Sequence, residues 1–203
     1  MHELTAAFIF LFAVIDPIGS VPVFIAVTKD YNEKEKRHIA FKSVFVSALI
    51  LLFFIAVGEL ILNAINVSIS SFQIAGGLVL LLFALTMIFG ESKPETEMKK
   101  IKNTVETAIF PMAMPSIAGP GAMLAVVLLT KNSVYSIWEQ VQLSFVLMGV
   151  LAIVLILLLL ASKVHKIIGD AGASVISRVM GLILSAVAIS NIIDGIKSSF
   201  HLV

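Results

Sequence analysis

The chain has 203 residues, 59% of them hydrophobic and 13% charged, with a mean hydropathy of +1.07. A soluble domain carries roughly 45–50% apolar and about 25% charged residues, so this much apolar surface could not be hidden in one aqueous fold, and lipid is the solvent it fits. A formal net charge of +1 offers no basic field for nucleic acid, and the absence of Cys excludes disulfides and thiolate chemistry.

Crossing about 30 Å of hydrocarbon takes roughly 20 apolar residues. Six stretches qualify: about 5–28, 40–62, 71–89, 107–130, 140–162 and 176–197. The connections are short, the most polar being Lys29–His38 and Glu91–Asn103, so residues 1–203 are expected to form one transmembrane domain. Ahead of the first stretch, Met1-His2-Glu3-Leu4 carries no Lys or Arg, and no cleavable signal peptide is expected.

The first span reads Phe12-Ala13-Val14-Ile15-Asp16-Pro17-Ile18-Gly19-Ser20-Val21-Pro22, with Asp16 at its midpoint. Pro17 and Pro22 each remove a backbone donor and crowd the preceding turn, and Gly19 admits conformations closed to other residues. The helix is therefore expected to break at mid-bilayer. A carboxylate there costs about 2.5–3.5 kcal/mol on insertion scales and generally faces a cavity or a partner. Asp16 can serve as a proton-coupling acid or as a fixed anion for an ammonium group or Na⁺. It can equally cap the second half-helix, since Asp suits the N-cap and Pro the first helical position.

The second and third spans carry less chemistry. Glu59 lies near an interface, and Thr86 is expected to satisfy its own backbone, as helical Ser and Thr often do. The fourth span holds the companion break, in Pro111, Pro115, Ser116, Gly119, Pro120 and Gly121. A lone Pro in a membrane helix is usually a kink. Two breaks at matching depth instead indicate a site, because irregular backbone at membrane depth survives only against protein or trapped water. Free N–H groups at one half-helix can hold a carboxylate, and unwound carbonyls a cation or ammonium. In the sixth span, Asn191 is costly to bury and joins the candidate site, whereas Ser190 reads as structural. Asp194 stands three residues from Lys197 and suggests an ion pair. Gly169-Asp170-Ala171-Gly172 reads as a tight turn, and Arg178 as a snorkelling residue.

Basic residues set the orientation, because Lys- and Arg-rich loops stay cytoplasmic. Lys29, Lys34, Lys36, Arg37 and Lys42 cluster after the first span, Lys93, Lys99, Lys100 and Lys102 after the third, and Lys163, Lys166 and Arg178 after the fifth. Only Lys131 and Lys197 remain for the other side, so both termini are expected outside a plasma membrane.

Gly77-Leu78-Val79-Leu80 resembles Gly181-Leu182-Ile183-Leu184 at an offset of 104, and the register continues through Ala84/Ala188 and Ile88/Ile192. Pro17 and Gly19 match Pro115 and Gly119 with a two-residue slip. Two halves, about 1–100 and 101–203, would each hold three spans, so the second must insert upside down relative to the first. The expected fold is all-α: six transmembrane helices as two inverted three-helix repeats, with helices 1 and 4 broken at mid-bilayer.

Catalysis is not expected. No His-Glu-x-x-His motif, Cys or membrane-depth His is present, and Asp16 and Asp194 fall at different depths. His2, His38, His165 and His201 have no metal-ligand spacing, so neither metal nor cofactor is expected.

At Phe12–Pro22, at Phe110-Pro111-Met112-Ala113-Met114-Pro115-Ser116-Ile117-Ala118-Gly119-Pro120-Gly121, and at Arg178-Val179-Met180-Gly181-Leu182-Ile183-Leu184, the chain resembles the MarC family, within the wider lysine-exporter-type superfamily. The resemblance runs over nearly the whole chain. It implies six spans and movement of small neutral amino acids such as glycine or alanine. The expected function is secondary transport of Gly-, Ala- or Ser-like solutes coupled to H⁺ or Na⁺, from a chain that can form a homo-oligomer. The alternative is an exporter or channel for another small solute. The expected site comprises Asp16, Pro17, Gly19, Ser20, Pro22, Pro115, Ser116, Gly119, Pro120, Gly121 and Asn191, with Asp16 as the coupling group.

Overall fold

The computed structural model describes residues 2–89, 103–131 and 134–200. Lys93, Lys99, Lys100, Lys102 and His201 lie outside the described residues. What is described is all helical, with five helices long and apolar enough to cross a membrane and a sixth span if one bent pair is counted as one.

The first span runs Leu4–Thr28 and consists of α1 (His2–Ile15) and α2 (Ser20–Thr28), separated by Asp16-Pro17-Ile18-Gly19. The interruption is a jog and not a sharp bend, because bridging hydrogen bonds survive: Asp16 N–H donates to the Phe12 carbonyl and Ser20 N–H to the Asp16 carbonyl, both at 3.1 Å. Pro22 is accommodated in the first turn of α2, where a missing N–H leaves no carbonyl unpaired.

Helix α3 spans Glu33–Ala64, beginning well before the apolar run that suggested 40–62. The Asn32 side chain accepts from the N–H of Lys34 and Glu35 while Glu35 reaches back to the Asn32 N–H at 2.8 Å. This capping box supplies orphan donors with partners and extends the helix into polar sequence. Lys34, Lys36, Arg37 and Lys42 thus lie on the first turns of α3, and the expected polar connection shrinks to Lys29–Asn32.

Helix α4 covers Ile69–Phe89. After it come a short α5 (Thr104–Thr107), an irregular helical stretch from Ala108 to Ile117, and α6 (Pro120–Leu129). The segment Thr104–Ile117 meets α6 at a bend of 56°. The irregularity has a local cause. Phe110 and Met114 take extended backbone (φ −129°, ψ 127° and φ −131°, ψ 126°), as the clash with a following proline requires.

Helix α7 (Ile137–Leu159) opens on a second capping box, Ser136 with Glu139, offset by 104 from Asn32 and Glu35. Helix α8 (Ala161–Phe200) changes direction at Gly169, whose φ of 65° is a left-handed value that favours glycine. The expected turn at 169–172 is therefore concentrated in one residue.

Helices α4 and α8 pack tightly. A Cβ at Gly77 would lie 3.0 Å from the Ala188 carbonyl oxygen and 2.7 Å from Ile192 Cγ1. A Cβ at Gly181 would lie 2.8 Å from the Ala84 carbonyl oxygen and 2.9 Å from Ile88 Cγ1. As the residue number rises on one helix it falls on the other, so the pair is antiparallel. Small residues allow this approach, which is how helices associate where lipid removes the hydrophobic incentive. The core lies inside, where α1, α2, the 108–117 stretch and α6 bury Ile15, Met112, Ile117 and Ala118 completely.

Candidate functional site

Both proline–glycine segments reach the same interior place. Ser20 Oγ and Ser116 Oγ stand 3.4 Å apart, joining residues 96 positions distant in the chain. Gly121, in the first turn of α6, adds α1 and α4: a Cβ there would lie 2.7 Å from Leu80 and 3.3 Å from Val14.

Asp16 sits at a φ of 48°, a left-handed conformation that Asp tolerates better than most residues. It is 7% exposed. Its Oδ1 accepts from the Gly19 N–H at 3.0 Å, and its carbonyl accepts from Ser20 Oγ at 3.2 Å. The hydrogen bond from Gly19 closes the 16–19 turn ahead of α2, whose own start at Ser20 follows Gly19 with no capping side chain, so Asp16 caps the turn and not the helix. A Cβ at Gly19 would run into the Asp16 carboxylate, which would have to turn away from the Gly19 N–H to admit it.

The second interruption is finished differently. Gly119 precedes α6 with φ −73° and ψ 168°, Pro120 occupies the first helical position, and no side chain caps this end. Gly121 and Ala122 behind it are buried. A helix start without a capping side chain presents free N–H groups, here those of the buried Gly121 and Ala122, and the positive end of the helix dipole. Gly119 is also tight against backbone, since a Cβ there would lie 2.7 Å from the Pro115 carbonyl oxygen.

Of the expected residues, Asp16, Pro17, Ser20, Ser116 and Gly121 are buried, Gly19, Pro22, Pro115 and Gly119 are half-buried, and Pro120 is exposed. The contacts above link Asp16, Gly19, Ser20 and Ser116 directly. Asn191 is not tied to them by any hydrogen bond among the described residues. It lies on α8 beside Ile192, which meets Gly77, and its Nδ2 is enclosed without a hydrogen-bond partner among the described residues. Such an orphan is uncommon and demands a partner from elsewhere.

Two groups escaped the sequence reading. Ser43 and Ser47 of α3 are fully buried and bond the carbonyls one turn back, at 2.7 and 2.8 Å. Ser47 Oγ also reaches the Ala113 carbonyl of the irregular stretch at 3.4 Å. Their signal was a pair of serines four apart, on one face of an apolar helix. The second group stands beyond α6, where Lys131 Nζ lies 3.5 Å from Gln73 Oε1. Burial pushes the Lys131 ammonium below its ordinary pKa, and the opposing pull comes from Glu59 and Asp194. The expected Asp194–Lys197 pair is not formed. Asp194 turns along its own helix and accepts from Ser190 Oγ at 3.5 Å. Thr86 bonds its own backbone at Phe83, as expected.

The chain matches the model of the MarC family integral membrane proteins over residues 1–200. It is 36% identical over 196 residues to the UPF0056 membrane protein of Methanocaldococcus jannaschii, covering 95% of each chain. To a UPF0056 membrane protein of Buchnera aphidicola subsp. Schizaphis graminum it is 34% identical over 194 residues, covering 95% of this chain and 91% of the relative. To that of Aquifex aeolicus it is 29% identical over 196 residues, with the same coverage of each. No solved structure matches the chain significantly. With family-wide agreement over nearly its full length, and with apolar helices suited to crossing a bilayer, the chain belongs to the MarC family of multi-pass integral membrane proteins.

Proposed function

We propose that this protein is a secondary transporter of small neutral amino acids, coupled to H⁺ or Na⁺, and that its two interruptions form one substrate site at mid-bilayer. The observation that carries this reading is the Ser20–Ser116 contact. It sets an acid-bearing interruption beside a helix start that no side chain caps. A zwitterion fits that pairing: its ammonium group toward the Asp16 carboxylate, its carboxylate toward the first turn of α6. Near-complete burial of Asp16, Ser20 and Ser116 gives a closed state, so solute entry requires the surrounding helices to part.

The reading includes six spans arranged as two inverted repeats. Its support is reciprocal packing at the offset of 104: Gly77 against Ala188 and Ile192, Gly181 against their counterparts Ala84 and Ile88. Antiparallel helices exchanging equivalent contacts are what a two-fold axis in the membrane plane produces. Matching capping boxes at Asn32 and Ser136 agree with it. The reading puts both termini outside a plasma membrane, with support from the basic residues Lys29, Lys34, Lys36, Arg37, Lys42, Lys163, Lys166 and Arg178 on the expected inner side.

We read the chain as a carrier and not an enzyme; the hydrogen bonds of Ser20 and Ser116 run to one another and to the Asp16 carbonyl, a backbone oxygen that cannot act as a general base. Purified protein in liposomes should show saturable exchange of labelled glycine or alanine against unlabelled solute. Ohmic single-channel current would replace the carrier by a channel, and exchange of an unrelated solute alone would replace the amino acid.

A further inference from the structure

A second place on the molecule has the chemistry of a binding site. A cleft of about 110 Å³ opens where the end of α2, the start of α3 and the α7–α8 junction meet, away from the two interruptions. Its lining is mixed, with Thr28 and Ser162 beside an apolar wall in which Phe24 and Leu158 are buried and Ile25 and Leu159 reach the surface. At its mouth stand Lys29, Lys36 and Arg37 against a single acid, Glu33. Lys36 is the most enclosed of the three, its side chain 26% exposed and 3.0 Å from Glu33. Arg37 is exposed, with a guanidinium fork that can take two oxygens of one phosphate.

The capping box that starts α3 does not need this charge. Helix α7 starts with the same capping-box arrangement as α3, yet Gln140 and Val141 stand at the offset of 104 where α3 has Lys36 and Arg37. One helix start therefore carries cationic side chains beside an apolar wall, and its counterpart folds equally well without them. A cationic mouth over an apolar wall, at the end of membrane-spanning helices, fits a ligand that is anionic at its head and apolar below it.

We propose that this cleft binds an anionic phospholipid, with the phosphate held by Lys36 and Arg37, Lys29 adding attraction, and the first acyl carbons lying against Ile25 and Leu159. Basic residues near a membrane surface each add modestly to attraction for anionic lipid. Enclosing Lys36 beside an apolar wall makes the attraction local to this cleft.

The test uses full-length protein in a neutral detergent, with thermal stability and lipid retention in native mass spectrometry as readouts. Phosphatidylglycerol should stabilise the protein and be retained in preference to phosphatidylcholine, and inorganic phosphate should give no comparable shift. The Lys36→Gln/Arg37→Gln variant should weaken phosphatidylglycerol retention roughly tenfold or more. The Lys34→Gln/Lys42→Gln variant removes the same charge from the same helix outside the cleft and should retain the lipid like the wild type. The proposal is overturned if wild-type protein shows no preference for phosphatidylglycerol, if phosphate alone reproduces the shift, or if both variants lose the lipid equally. The first two readings need no variant to fold.

Discussion

The two interruptions use the same residue types, yet they are closed in different ways. At the first, the Asp16 carboxylate takes the Gly19 N–H within the turn ahead of α2, and bridging hydrogen bonds keep Leu4–Thr28 a single span. At the second, Gly119 and Pro120 begin α6 without a side-chain cap, and the segment bends by 56°. Helix starts leave N–H groups that must find partners. The first interruption thus carries an acid that also takes a backbone N–H, and the second carries none. The asymmetry follows from one position, since Met114 stands in the second motif where the first has Asp16 before its proline.

The largest effect on this contrast should come from its glycines. Gly119→Leu would press a side chain onto the Pro115 carbonyl, a backbone atom that cannot swing aside, whereas Gly19→Leu would meet the Asp16 carboxylate, which can. Both should abolish uptake while the protein still reaches the membrane. Gly119→Leu should also lose about 1–3 kcal/mol of stability through overpacking. Flux in liposomes and thermal unfolding of the same preparations separate the two costs. Wild-type flux in either variant would count heavily against a site at these interruptions.

Asp16 divides capping from charge. Asp16→Ala removes the turn's hydrogen bond from the Gly19 N–H, worth about 1 kcal/mol, and places Ala at a φ of 48°, which costs roughly another 1–2 kcal/mol. Asp16→Asn keeps the acceptor and a residue tolerant of that φ, so its stability should stay near that of the wild type. Both should lose transport. A purely structural Asp16 would leave Asp16→Asn fully active.

A smaller effect joins the two motifs. Ser20→Ala and Ser116→Ala, combined in a double-mutant cycle, should show a coupling of about 0.6 kcal/mol, the usual size for a hydrogen bond between membrane helices. Additive losses would mean that the 3.4 Å approach carries no interaction.

The smallest effect is expected beyond α6. Because burial lowers the Lys131 pKa from its ordinary 10.5, the unfolded chain binds more protons than the folded one between that lowered value and 10.5. Stability should therefore rise as pH climbs through this window, and the rise should diminish in Lys131→Gln. Glu59 and Asp194 oppose the shift, and their removal should enlarge it. An unchanged alkaline profile in Lys131→Gln would show that its ammonium is not held in an unfavourable setting.

Much of this was legible in the residues. Spans follow from apolar length alone, so most helix limits fall close to the expected ones. Helices α3 and α8 begin earlier, at Glu33 and Ala161, in sequence too polar for hydropathy to include. Pro17 and Gly19 fall in the short turn between α1 and α2, Pro115 in the irregular stretch before α6 and Gly119 directly ahead of that helix, because proline and glycine act on the backbone locally. What stayed hidden was tertiary. Nothing local distinguishes Ser47 from Ser43, yet only Ser47 reaches across to Ala113. Asp194 and Lys197 had suitable spacing for a pair, but Ser190 lies one turn back and takes the carboxylate. The early start of α3 was readable in Asn32 and Glu35 and was masked by the weight given to hydropathy.

The central claim is that one site spans both interruptions and draws its charge from Asp16. It is tested most directly by thermal stabilisation of purified wild-type and Asp16→Asn protein against a panel of amino acids. The expected result is a shift with glycine, alanine or serine in the wild type that disappears in Asp16→Asn, although that variant unfolds at a similar temperature without solute. An equal shift in both proteins, or none with any amino acid in the wild type, would contradict it.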